Sequence, residues 1–394
     1  MLLKIGVRNK IMKIPFNKIY LTGNEIKYIQ DALNRGQLSG DGYYTKKVST
    51  LLRNKFKLNE IFMTTSGTHA LEMAADLINL KDGDEVIMPS FTFTSTANSV
   101  LLKGGKVVFS EICEDTLNLD PEKIEQHITE KTKAVIPVHY AGVSCRMDEI
   151  KEIAEKYNLY VIEDAAHAVN ARYKGNYLGG IGDFGCFSFH GSKNYVSGEG
   201  GALLINSKNK GLIEKAEIIR EKGTNRSRFL RGDLNKYTWL DKGSSYLPSD
   251  LLMAFLLAQL EKMDKIKNMR KKIYSYYYQR LSKYRDYKFL DLISYIPEYC
   301  DSSYHIFFLK FNKKSYRDYV IIRLKKAGVN ASFHYLPLHS SPMGKKMGYK
   351  ENDFSITNKA ADTILRLPLY PDLTAKELSY IADKLENIFC DLCQ

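Results

Sequence analysis

No run in the 394-residue sequence reaches eighteen consecutive apolar residues, the length a helix needs to cross a bilayer, so no membrane span is expected. Cysteine is sparse and scattered, at positions 113, 145, 186, 300, 390 and 393. Cys390 and Cys393 form a C-x-x-C, but no second Cys/His pair with zinc spacing accompanies them. Neither a metal nor a disulfide is therefore expected, and Cys390 reads as a reduced, partly buried thiol on a helix. Internal repeats and low-complexity segments are missing. Residues 1–13 lack the continuous apolar stretch and small-residue cleavage site of a secretory signal. They read as an extension before the folded chain, with Met12 as a second candidate start, and a cytoplasmic location is the expectation.

What is present is ordinary for a globular protein: 44% hydrophobic and 26% charged residues. The formal net charge is +13, which raises nucleic acid as a partner. The charge is spread along the chain without an RNA-binding or helix-turn-helix signature, so no nucleic-acid partner is expected. One local cluster stands out: Arg220, Lys222, Arg226, Arg228, Arg231 and Lys236. It reads either as a solvated loop or as a site for a diphosphate-bearing small molecule, since guanidinium forks match phosphate oxygens.

A chain of this length exceeds what one core usually supports, so two domains are expected: a large one over residues 14–250 and a smaller α+β one over 251–394. The first two thirds alternate helical and strand patterns. Short apolar runs (85–88, 106–109, 134–138, 159–162, 184–188 and 202–205) fit strands buried on both faces of a mostly parallel sheet. Helices are expected over 23–33, around Val48–Phe56, over 68–77 and over 147–156. A long helical region over 248–283 is expected to leave the large domain. A strand over 305–311 and helices near 315–327 and 374–389 follow.

Three local patterns carry chemistry. The run Leu159–Ile162 ends in Glu163 and Asp164, and ligands of open α/β sheets sit outside the carboxyl ends of the strands. A carboxylate there suits a protonated pyridine nitrogen, and equally a helix cap or ion pair. The turn Ser66-Gly67-Thr68 opens into a helix, where free amides and the positive helix end attract a phosphate; Ser66 as a plain N-cap is the alternative. Finally, Ser188-Phe-His-Gly-Ser-Lys193 leaves a strand and returns through Gly200 and Gly201. A lysine in such a pocket forms an imine with an aldehyde and moves protons between adjacent carbons. The ordered co-occurrence of an anion turn, a strand-end Asp and a strand–Ser–loop–Lys–Gly-Gly unit points to pyridoxal phosphate.

These residues, with Ser39-Gly-Asp-Gly, Pro89-Ser-Phe-Thr-Phe-Thr-Ser-Thr-Ala, Pro137-Val-His-Tyr-Ala-Gly and Cys186-Phe-Ser-Phe-His-Gly-Ser-Lys, resemble the sugar-nucleotide aminotransferases of the DegT/DnrJ/EryC1/StrS family, over about residues 14–384. The resemblance implies a fold type I α/β architecture, with a seven-stranded, mostly parallel sheet between helices and a smaller C-terminal domain. It implies Lys193 as the lysine that carries pyridoxal phosphate as a Schiff base, Asp164 at the pyridinium nitrogen and His167 near the 3-hydroxyl. Phe93 would stack on the ring, with Phe91 or Phe93 as a core residue the alternative, and Ser66, Gly67, Thr68 and Ser188 would hold the phosphate. Ser245 stands where many members carry an asparagine that reaches the neighbouring subunit's cofactor phosphate, and Leu247 replaces an arginine. A homodimer with a shared active site is thus implied. Segments 216–227, 236–239 and 243–247 narrow the expected acceptor to dTDP-4-keto-6-deoxy-D-glucose, aminated at C4 by L-glutamate through the pyridoxamine form, with the galacto product favoured. Arg226, Arg228, Lys236, Tyr237, His334 and His339 are candidates near the nucleotide or sugar. A gluco product, a 3-keto or UDP-sugar acceptor, and a catalytically silent binding protein of the same fold stay open.

Overall fold

The computed structural model describes residues 12–393; most of the expected N-terminal extension lies outside them. Seven strands form the main sheet: β1 (Glu60–Thr64), β2 (Glu85–Pro89), β3 (Lys106–Ser110), β4 (Thr132–Val135), β5 (Tyr160–Asp164), β6 (Phe184–Ser188) and β7 (Gly201–Ile205), in the spatial order β1-β7-β6-β5-β4-β2-β3. Only β7 runs against the rest, pairing antiparallel with both β1 and β6. The architecture is the α/β sheet expected. β1 is the one strand of this sheet that the sequence pattern missed: with Glu60 at its start and Thr64 at its end, its apolar run is only Ile61-Phe62-Met63.

The strands are near-continuously apolar because both faces are covered. One face packs with α1 (Glu25–Arg35), α2 (Tyr43–Phe56) and α5 (Met147–Tyr157). The other is covered by α3 (Gly67–Leu77), α4 (Thr94–Leu101) and α6 (Lys210–Arg220). After the short α7 (Arg226–Leu230), the expected single long helix is two. α8 (Asp250–Glu261) and α9 (Met263–Leu281) are separated at Lys262, whose φ/ψ of −109°/18° leaves the helical region. α8 packs on α1 and α2, and the first core runs on to Ile266. We therefore place the junction between the two units within α9 rather than at residue 250.

The second unit is a three-stranded antiparallel sheet, β8 (Leu290–Ile293), β9 (Phe308–Phe311) and β10 (Ile364–Arg366), in the order β8-β9-β10. It is joined by α10 (Lys314–Lys326), α11 (Pro342–Lys346), α12 (Ser355–Thr363) and α13 (Ala375–Leu392). Thr374 and Glu377 form a reciprocal capping box at the start of α13, satisfying two of its free amides. Cys390 near its end is exposed, not partly buried: it points away from the face on which Ile388 and Phe389 are buried. Among the described residues, no helix is long and apolar enough to cross a membrane. A small cluster including Phe91, Tyr140, Ile306, Phe308 and Ile364 ties the two units together, directly beneath the cavity described next.

Candidate active site

A cavity of about 520 Å³ opens at the carboxyl ends of β5 and β6, between the main sheet and the second unit. Its walls include Ser66, Gly67, Thr68, Phe93, Asp164, His167, Ser188, Lys193 and His334, so nine of the residues singled out by sequence converge on one space. They come from five separate chain segments, and the sheet order brings the segments together.

Asp164 is the last residue of β5 and is buried. One carboxylate oxygen accepts the Thr96 hydroxyl at 2.8 Å, and the other accepts the Ala166 amide at 3.2 Å. Thr96 has one proton and gives it to Asp164, so the contact between Thr92 and Thr96 (2.8 Å) has Thr92 as donor. This hydroxyl chain orients the carboxylate. Its neighbour Glu163 points the other way and is structural, accepting the amides of Gly179, Ile181 and Gly182 and bonding His139.

The small-residue turn does open a helix. Ser66 caps α3, its hydroxyl accepting the His69 amide at 3.1 Å. Gly67 and Thr68, at the first two positions, then have no intrahelical acceptor for their amides. The turn is pressed against the end of β6: a Cβ on Gly67 would sit 2.9 Å from the Ser188 Cβ, and one on Gly201 would collide with the Ser66 carbonyl. Only glycine at both positions lets the two amides, the Ser188 hydroxyl and the Thr68 hydroxyl (2.7 Å from the Ser95 hydroxyl) line one small concavity. This is an anion seat.

Lys193 lies in the turn that leaves β6, its amide donating to the His190 carbonyl at 2.9 Å. Its amine faces the cavity and makes no hydrogen bond to the described residues. Burial lowers its pKa to about 8, partly offset by the negative charge of Asp164 and assisted by the positive charge of Arg366. Three imidazoles stand around it. His167 and His305 lie 4.4 Å apart ring to ring, and His334 is 6.2 Å from His167. Burial, with Lys193 nearby, holds His167 and His305 well below the ordinary histidine range and His334 down to about 2, so all three are neutral. His334 bonds the Tyr140 hydroxyl at 3.0 Å, and His305 bonds Asn194 at 2.8 Å. Nδ1 of His167 is buried without a partner, a donor or acceptor held ready for something that enters the cavity. Phe93 is 58% exposed on the wall, whereas Phe91 is fully buried against Tyr140 and Tyr335. That division leaves Phe93 as the aromatic available to a ligand.

Other expected residues are elsewhere. His339 is a core histidine: its ring bonds the Ser90 hydroxyl at 2.7 Å and the Glu351 carbonyl at 3.2 Å, leaving no nitrogen for a substrate. Arg226 and Arg228 lie outside the cavity and are engaged by Glu221 (3.3 Å) and Glu214 (2.8 Å). Lys236 and Tyr237 are exposed on the same loop. Ser245 is exposed outside its own chain's cavity, although the adjoining Tyr246 carbonyl accepts the Thr65 amide beside the anion seat. Sequence reasoning missed Thr96, Asn194, His305, Arg270 and Arg366. Thr96 lay within a Thr/Ser-rich run after β2 that could have signalled it. The others occupy ordinary helix, strand and loop positions with no local signature.

Comparison with known proteins agrees with this geometry. The model of the DegT/DnrJ/EryC1/StrS aminotransferase family matches residues 20–386. Spore coat polysaccharide biosynthesis protein SpsC of Bacillus subtilis is 31% identical, covering 95% of this chain and 97% of its own. GDP-perosamine synthase of Caulobacter vibrioides is 30% identical over 93% and 96%. The structure of a protein assigned as a sugar aminotransferase from Streptococcus pneumoniae, solved in PMP and PLP forms, superposes in its PMP form with a TM-score of 0.89 at 26% identity, covering 95% of this chain and 99% of that one. The sheet, the lysine turn facing a strand-end aspartate and the match over nearly the whole chain have one meaning: the chain belongs to the DegT/DnrJ/EryC1/StrS aminotransferase family.

Proposed function

We propose that this aminotransferase moves the amino group of L-glutamate to C4 of dTDP-4-keto-6-deoxy-D-glucose, giving a dTDP-4-amino-4,6-dideoxyhexose, the galacto form favoured, for surface-polysaccharide synthesis. The observation that carries the reading is the placement of the unpaired Lys193 amine in one cavity with Asp164, the Gly67–Ser188 anion seat and the unpartnered His167 Nδ1. These residues fit pyridoxal phosphate. The phosphate suits the amides of Gly67 and Thr68 with Ser66 and Ser188, the pyridine nitrogen suits Asp164, the 3-hydroxyl suits His167, and the ring face suits Phe93.

Bound there, the cofactor supplies the electron sink that makes a carbon-bound hydrogen removable. The protein's residues do the rest. Asp164, oriented by Thr96 and the Ala166 amide, would hold the ring nitrogen. Lys193 takes a proton at Nζ from one carbon and returns it to another, and the side from which it delivers the proton sets the configuration of the amine. The neutral imidazoles of His167, His305 and His334 do not compete with it for protons. In this reading the active unit is a homodimer, with Ser245 and the basic loop close to a neighbouring site. A GDP-linked acceptor is the second reading, favoured by the Caulobacter relative's name.

Absorbance tests the proposal. Purified protein loaded with pyridoxal phosphate should lose its visible band on addition of L-glutamate. One nucleotide-linked 4-keto sugar, from a dTDP, GDP and UDP panel, should restore it. Restoration by the GDP sugar alone favours the second reading, and a protein that never takes up the cofactor refutes both.

A further inference from the structure

Just before β9 the chain is tied down residue by residue. Ser303 donates its hydroxyl to the His167 carbonyl (2.6 Å), and its own carbonyl accepts the Asn194 side-chain amide (2.8 Å). Arg270, on α9, spends Nε and Nη2 on the carbonyls of Tyr304 (3.0 Å) and His305 (2.7 Å). Between these ties Tyr304 is held at φ +54°, a left-handed conformation rare for a bulky residue. Strain of that kind persists only where the surroundings impose it, and it gathers at functional sites. What the segment presents to the cavity is the His305 ring. Its Nδ1 lies 2.8 Å from Oδ1 of Asn194, the residue after Lys193. The Asn194 amide cannot turn over, because Nδ2 serves the Ser303 carbonyl and a reversed amide would set two oxygens face to face. Oδ1 only accepts, so Nδ1 of the neutral His305 ring carries the proton and Nε2 carries a lone pair. Nε2 makes no hydrogen bond to the described residues. Beside the Lys193 turn the cavity therefore holds an acceptor of fixed direction without a donor.

We propose that Nε2 of His305 accepts a hydrogen bond from the hydroxyl on C3 of the acceptor sugar, the carbon next to the ketone. This rests on the sugar-acceptor reading above and adds to it the group that reads the sugar itself. A lone pair repels carboxylate oxygens, so neither carboxylate of L-glutamate fits there, and its amine is the group that reacts. The cofactor's ring nitrogen and 3-hydroxyl suit Asp164 and His167. A sugar hydroxyl is the donor that remains. C4 must come to Lys193, and of the two carbons beside C4, C5 bears a methyl group and C3 a hydroxyl. C2 lies one bond further off, on the side of the diphosphate.

The test reads binding rather than turnover. Nucleotide-linked 6-deoxyhexoses with a hydroxyl at C4 cannot react, and three of them (intact, 3-deoxy and 2-deoxy) are titrated by calorimetry into the pyridoxamine-loaded holoenzyme, with dTDP, GDP and UDP in turn. Wild type should bind the 3-deoxy sugar about tenfold more weakly than the intact one, and the 2-deoxy sugar within about twofold of it. His305→Phe keeps a ring and removes the acceptor, so the 3-deoxy ratio should fall to within about twofold. His305→Gln, whose amide oxygen accepts, should restore part of it. General damage to the fold weakens all three sugars alike and leaves the ratio unmoved, and the wild-type comparison stands even if neither variant folds. A wild type indifferent to the C3 hydroxyl, discrimination directed at C2 instead, or a 3-deoxy ratio that survives in His305→Phe would overturn the proposal. A wild type that binds none of the nucleotide-linked sugars overturns the sugar-acceptor reading, and this assignment with it.

Discussion

Two regions of this molecule are rich in positive charge, and they are built in opposite ways. On the loop after α6, Arg226 meets Glu221, Arg228 meets Glu214, and Arg231 meets Glu217 and Asp233. Most of these groups are well exposed to water. In the cavity, Lys193, Arg270 and Arg366 stand without a carboxylate in contact and have lost much of their hydration. Charge alone therefore does not mark a site; charge left unpaired at a desolvation cost does. On sequence the loop is the more conspicuous of the two, with six basic residues in seventeen positions. In the structure its arginines are spent on neighbouring acids.

The largest effect that could break this contrast is at Lys193. Lys193→Ala should lower amine transfer by about two to four orders of magnitude, and borohydride should no longer fix the cofactor to the protein in a mass spectrum. Activity within tenfold of wild type would reduce the cavity lysine to an ordinary loop residue.

A smaller effect is read by pH. The amine attacks only when neutral, and burial brings its pKa down to about 8. Capture of pyridoxal phosphate by the cofactor-free protein should therefore speed up about tenfold per pH unit towards that value and level off above it. Asp164 favours the ammonium form, so Asp164→Asn should move the midpoint lower; Arg366 disfavours it, so Arg366→Gln should move it higher. A midpoint near the 10.4 or so of a solvated lysine would mean that the cavity does not desolvate the amine.

The same contrast explains what was legible in the sequence. Six of the seven main strands were visible because strands covered on both faces, β7 included, read as uninterrupted apolar runs. The cofactor-seat residues were visible because their chemistry is local: an N-cap turn, a strand-end acid and a lysine between glycines each leave a mark within a few positions. Thr96, His305 and Arg366 were not, because their significance is purely tertiary. Thr96 matters through an oxygen 68 residues away, and Arg366 through a cavity assembled from both units. His339 misled for the mirror-image reason. It lies five residues from His334 in a His- and aromatic-rich segment, yet only the fold reveals that both its nitrogens are already satisfied in the core. Lys262 broke the expected long helix without any proline or glycine to announce it, and α9 passes from the first core at Met263 and Ile266 to another at Ile273.

The smallest expected effect sharpens the contrast from the other side. Arg228 and Glu214 lie 2.8 Å apart with 39% and 44% of their side chains exposed. An exposed pair of this kind contributes about 0.2–1 kcal/mol, because water screens the attraction and two long side chains lose freedom in making it. Arg228→Gln should therefore lower the melting temperature by a few degrees at most and leave the KM for the sugar nucleotide unchanged. Should Arg228→Gln instead raise the nucleotide-sugar KM about tenfold at unchanged stability, the arginine must exchange Glu214 for a phosphate once substrate is present. Such an exchange is affordable only where the existing pair is as weak as this one, and it would make the loop part of a site that a single chain does not complete.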